Sequence, residues 1–114
     1  MDQLIVRPLR SADVPACFEL IDRERARIAN FFPTTTTRCQ DERSCAAYVR
    51  ELEQQAIAGG SFAYLLHVEG QDAPVGMVML KSFDTSVRKC EVSYFVAAKW
   101  ERKGIATGAL AWAV

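Results

Sequence analysis

Three apolar runs in close succession limit the fold more than any other feature of the chain. They are Phe62–Glu69, Val75–Lys81 and Lys89–Val96, each rich in aromatic and branched aliphatic residues. Gly70-Gln-Asp-Ala-Pro74 separates the first two, and a turn marked by Asp84-Thr-Ser86 separates the last two. Connections this short join antiparallel neighbours, because a parallel pair needs a crossover of about a dozen residues or more. A further β-type run, Leu4–Arg10, opens the chain. Pro8 cannot donate to a ladder, so this strand is expected to lie at a sheet edge or to end there.

Two helical patterns lie between the first run and the other three. Val14, Cys17, Phe18, Ile21 and Ile28 recur at helical spacing and predict a helix from about Ala12 to Ala29. Ser11 and Asp13 are candidate N-caps, and Pro15 is tolerated in the first turn. Asp41 is the candidate cap of a second helix, whose stripe is Cys45, Tyr48, Val49, Leu52 and Ala56. Gly59-Gly60 supplies its stop. Between the helices, Asn30–Thr37 reads as a loop, with Pro33 pushing Phe32 towards an extended backbone. Two adjacent aromatics in a loop admit two roles. Phe31 and Phe32 either cover the edge of the core or line a cleft.

Composition removes several function classes. The 114 residues suffice for a single domain, residues 1–114, with half of them hydrophobic. Fourteen basic residues balance fourteen acidic ones, which argues against nucleic acid as a main partner. No apolar run is long enough to cross a bilayer, and no basic-then-apolar leader opens the chain. The four cysteines include no C-x-x-C pair and only one histidine accompanies them, so no metal site is expected. The thiols read as core fillers of a reduced, cytoplasmic protein. His67, within a strand, reads as a packed or rim histidine with no partner motif for catalysis.

The stretch from Tyr94 to Leu110 carries the chemistry. An apolar strand ends near Val96, a charged turn follows at Glu101-Arg-Lys-Gly104, and an Ala-rich run then reads as helix. Unpaired N–H groups and the dipole at a helix N-terminus suit a phosphate. Gly104 permits close approach of the backbone, and Arg102 and Lys103 add positive charge. A solvated strand-to-helix connection would look the same. A P-loop does not fit, because Lys103 precedes Gly104 and position 99 is not a glycine.

Glu101-Arg-Lys-Gly104-Ile-Ala106 resembles the Arg/Gln-x-x-Gly-x-Gly/Ala signature of the GNAT N-acetyltransferases, with Glu101 in the place of the usual Arg or Gln. Arg7-Pro-Leu-Arg-Ser-Ala-Asp13 resembles the opening of the ribosomal-protein (RimJ/RimL-like) branch. The resemblance implies an α/β (α+β) fold with a mixed, mainly antiparallel sheet and helices on both faces. It further implies that this chain stops within the family's third helix, short of the C-terminal strands. Acetyl-CoA is the implied cosubstrate. Phe95, Val96 and Ala97 would pair with its pantetheine arm, and the amides of Arg102, Lys103, Gly104, Ile105, Ala106 and Thr107 would hold its pyrophosphate. An amine, either a protein N-terminus or a small molecule, is the implied acceptor, flanked by Phe31 and Phe32. Glu91 stands where the family often places an acidic residue, so it is a candidate base; alternatively it is paired on a solvated sheet face. A missing strand beside Lys89–Val96 would leave an edge open to a homodimer. Two readings besides an enzyme remain: a non-catalytic CoA-binding or interaction module, and an unrelated phosphate-binding α/β domain.

Overall fold

A computed structural model describes the backbone of residues 4–30, 32–84 and 89–100, with side chains throughout except at 81–84 and 89–91. Four strands form one sheet: β1 (Leu4–Pro8), β2 (Ser61–Val68), β3 (Gly76–Asp84) and β4 (Lys89–Val96). Their spatial order is β1-β2-β3-β4 and every pair is antiparallel. β1 ends at Pro8, opposite Tyr64, and lies at one edge of the sheet as the proline requires. Three helices, α1 (Val14–Ile28), α2 (Pro33–Arg38) and α3 (Glu42–Ala58), precede the β2–β4 meander.

Alternation along the strands divides the apolar residues between two faces. Ala63, Leu65, Met77 and Phe95 join the buried residues of the helices in one cluster. Leu66, Val68, Val75, Val78 and Val96 form a second cluster on the other face. Trp100, in a 3-10 turn at Ala98–Trp100, packs against both. The helix expected from about Gly104 lies outside the described residues.

Both long helices form where the apolar spacing predicts them. Ser11–Asp13 is a 3-10 turn that leads into α1. Asp13 does not cap α1 with its side chain; its carboxylate accepts the Arg10 N–H at 2.9 Å instead. Asp41 caps α3 as expected, accepting the Ser44 N–H at 2.7 Å. Gly59 stops α3 in the left-handed region at φ 81°, and the Gly60 N–H closes on the Gln55 carbonyl at 3.0 Å.

The segment Asn30–Thr37 corrects the sequence reading. Instead of a loop, Pro33–Arg38 is helical. Pro33 occupies the first turn, where its missing N–H costs nothing. The Thr36 hydroxyl donates to the carbonyls of Phe32 and Pro33, at 3.0 and 3.1 Å. Arg25 of α1 then donates to the carbonyls of Thr36 and Cys39, at 2.6 and 2.5 Å. A remote guanidinium thus satisfies carbonyls that a six-residue helix would leave unpaired. Four threonines disfavour helix locally, and tertiary hydrogen bonds override that preference.

Candidate functional site

The site is built around the end of β4. Val96 lies opposite Gly76 and Phe95 opposite Met77. Ala97 donates its N–H to the Val75 carbonyl at 2.7 Å. Hydrogen-bonded and non-hydrogen-bonded pairs alternate along an antiparallel ladder. Phe95 and Ala97 therefore turn their polar backbone groups towards β3. Val96 turns its N–H and C=O away, towards the outer edge of β4. Among the described residues no strand pairs with that edge.

Gly76 lets the two strands meet closely here. A Cβ at position 76 would stand 2.4 Å from the Phe95 carbonyl oxygen and 3.2 Å from the Val96 Cα. Both are backbone atoms, so neither can swing aside. Val75 and Gly76 together face Leu66, because Val75 donates to the Leu66 carbonyl at 2.7 Å while Gly76 is its register partner. The Val75 carbonyl reaches the Ala97 N–H by the same register that sets Gly76 opposite Val96.

Two residues of α1 approach the same backbone. Glu24 accepts the Ala98 N–H at 3.0 Å and pairs with Arg27 at 2.8 Å. Arg27 also donates to the Val96 carbonyl. Neither residue stands out in the sequence as more than a charge on a helix. The available signal is Glu24's place on the buried stripe of α1, between Ile21 and Ile28.

The residues expected to act together are only partly brought together by the described structure. Phe32 packs its ring edge-on against Phe95, with centroids 5.1 Å apart at 77°, and is 6% exposed. Such a pair is worth about 0.5–1.5 kcal/mol beyond its buried area. Phe31 lies outside the described residues, as do Arg102, Lys103, Gly104, Ile105, Ala106 and Thr107. The backbone of Glu91 pairs with Lys81 within β4 and β3, and its side chain is outside the described part.

Other polar groups in the interior are accounted for by their neighbours. His67 is 8% exposed, with Arg7 Nη2 3.3 Å from its Nε2. Burial first, then the Arg7 charge, holds its pKa below the ordinary histidine value. Cys17, Cys39 and Cys45 are free and buried in the helix-side core. Contact with Cys45 and burial push the thiols of Cys17 and Cys39 up, so they stay neutral. Among the described residues no cluster of His, Cys, Asp and Glu is arranged to hold a metal ion, and no helix is long and apolar enough to cross a membrane. A groove of about 270 Å³ lies between β1, β2 and α3, lined by Leu9, Arg10, Leu52, Ile57, Phe62 and others. It sits at the opposite end of the sheet from Val96, by the strand register.

Several solved structures share this architecture. The ribosomal-protein-S5-alanine acetyltransferase of Vibrio fischeri is 16% identical, with a TM-score of 0.86 over 99% of this chain and 62% of its own. An acetyl transferase of Salmonella typhimurium that modifies the N-terminal serine of ribosomal protein L7/L12 is 16% identical, at 0.81 over 95% of this chain and 59% of its own. RimJ of Mycobacterium smegmatis, in complex with CoA-disulfide, is 20% identical, at 0.80 over 95% of this chain and 53% of its own. At these identities the likeness is one of fold, and the chain spans less than two thirds of each neighbour's length. No curated protein matches it. The profile of the acetyltransferase (GNAT) domain matches residues 3–114. With that match over residues 3–114 on this antiparallel meander, the chain belongs to the GNAT acetyltransferase family.

Proposed function

We propose that this chain is the part of an acetyl-CoA-dependent N-acetyltransferase that binds the cosubstrate, and that the acceptor is a primary amine of a protein N-terminus or a small molecule. The outward-facing Val96 backbone carries the reading. A pantetheine arm beside β4 would meet that N–H and C=O as a neighbouring strand would. An N–H aimed at the thioester oxygen would stabilise the charge that develops there on attack by the amine. The amides of Arg102–Thr107 would hold the pyrophosphate, and Glu91 would take the proton of the attacking amine. Phe31 and Phe32 would border the acceptor side. Acetyl-CoA supplies the activated acyl group, while the chain supplies orientation. Three free buried thiols accord with a reducing, cytoplasmic setting.

Isothermal titration with acetyl-CoA, CoA and ATP tests the reading. Both CoA species should bind and ATP should not compete with them. A folded Gly104→Val protein should bind acetyl-CoA at least about tenfold more weakly. Unchanged affinity would remove the pyrophosphate assignment, and no CoA binding by the wild type would remove the reading itself.

A further inference from the structure

Glu24 occupies a position on α1 that its neighbours mark as apolar. Val14, Cys17, Leu20, Ile21 and Ile28 are the other buried residues of that helix, and Glu24 is 8% exposed among them. A carboxylate taken from water is costly unless it is paired and hydrogen-bonded. Glu24 Oε1 meets both requirements, receiving Arg27 Nε at 3.0 Å, Arg27 Nη2 at 2.8 Å and the Ala98 N–H at 3.0 Å. Arg23 lies further off, 3.9 Å from the other carboxylate oxygen.

The partners on β4 form a pattern. Arg27 takes the Val96 carbonyl, Val75 takes the Ala97 N–H, and Glu24 takes the Ala98 N–H. With the Trp100 N–H on the Ala97 carbonyl at 2.8 Å, both peptide groups flanking Ala97 are held at both ends, each of them once by the ion pair. No other described strand end has an ion pair bound to its departing backbone. Ala98 lies 74 residues from Glu24 in sequence and two residues after Val96, whose backbone faces the outer edge.

We infer that Glu24 and Arg27 are positioning residues for cosubstrate binding: they fix the exit of β4 so that the Val96 N–H stays aimed outwards. This rests on the acetyl-CoA reading above. A carbonyl oxygen has two lone pairs, so Arg27 on the Val96 carbonyl leaves an acceptor site for a pantetheine amide. The Val96 N–H, which no described residue is seen to take, remains the donor for a pantetheine or thioester carbonyl. Neither side chain needs to touch the cosubstrate. Loss of the pair would remove one of the two hydrogen bonds on each peptide group, loosen both and raise the entropic cost of binding.

Two readouts on the 114-residue protein test the inference together: hydrogen exchange at the Ala98 amide by NMR, and CoA affinity by calorimetry well below the melting temperature. Wild type, Glu24→Gln and Glu24→Ala are compared. The glutamine oxygen can still accept from Ala98, so Glu24→Gln should keep much of the protection. Glu24→Ala should lose protection by about tenfold or more and bind CoA at least about tenfold more weakly, with Glu24→Gln between. Wild-type affinity in a folded Glu24→Ala protein whose Ala98 amide has lost protection overturns the positioning role and leaves the acetyl-CoA reading intact. Absence of CoA binding by the wild type, with Ala98 protection still dependent on Glu24, overturns both. If Glu24→Ala does not fold, Arg27→Met, which takes the guanidinium off both Glu24 and the Val96 carbonyl, decides, and wild-type affinity there overturns the role.

Discussion

The two long helices are similar in length but differ in how they are finished. α3 is closed by its own sequence: Asp41 caps its start, Gly59 ends it, and its buried residues are Cys45, Tyr48, Val49 and Leu52. A buried hydrogen bond, Tyr48 to the Thr35 hydroxyl at 2.9 Å, joins it to α2. α1 is finished by remote partners. It buries Glu24, extends Arg27 to β4, and lends Arg25 to the end of α2. The difference teaches which helix only fills the core and which also shapes the site. α3 supplies buried apolar area, and α1 supplies that area together with hydrogen bonds to the edge where a cosubstrate would lie.

The largest effect is expected at the strand crossing that α1 supports. Gly76→Ala would set a methyl group 2.4 Å from the Phe95 carbonyl, so β3 and β4 must separate. Overpacking against backbone should cost roughly 2–3 kcal/mol and weaken acetyl-CoA binding in whatever protein folds. Equal binding would detach the geometry of β4 from the cosubstrate. Next comes the opposite case. Leu52→Ala on α3, at a site 6% exposed, should cost about 2–4 kcal/mol in urea or thermal unfolding. CoA affinity at low temperature should not change. A loss of affinity matching that of Gly76→Ala would erase the distinction between the helices.

The same contrast explains what could be read from sequence. Asp41, Gly59 and the stripe between them act within one helix, so their signals are adjacent in the chain. The meander was equally legible, since short turns leave few pairings for β2, β3 and β4. α2 was not, because Arg25, which holds its carbonyls, belongs to another helix. Glu24 was not, because its backbone partner is Ala98. Charge on a helix normally reads as a solvated face, and only the surrounding buried residues mark this one as different. The outward turn of Val96 required the register of β4 on β3, and no local pattern encodes that.

The smallest effect is a pH dependence away from both helices. Burial, with the Arg7 charge second, depresses the His67 pKa in the folded chain. The unfolded chain then binds a proton that the folded chain resists. The contribution to stability is present above the unfolded value, about 6.5, and is lost as pH falls from there through the folded value. Wild type should therefore lose melting temperature between about pH 7 and pH 5.5, and His67→Gln should lose less over that range. Parallel slopes would show that His67 is not the group responsible.

The central claim is that the outer edge of β4, held by α1, is where the cosubstrate binds. An amide NMR titration of the 114-residue protein with acetyl-CoA tests it most directly. The account predicts that Val96, Ala97 and Ala98 shift among the most, while Leu9, Arg10, Leu52 and Phe62 in the distant groove stay in place. Saturable shifts centred on that groove, with Val96 unmoved, would contradict it.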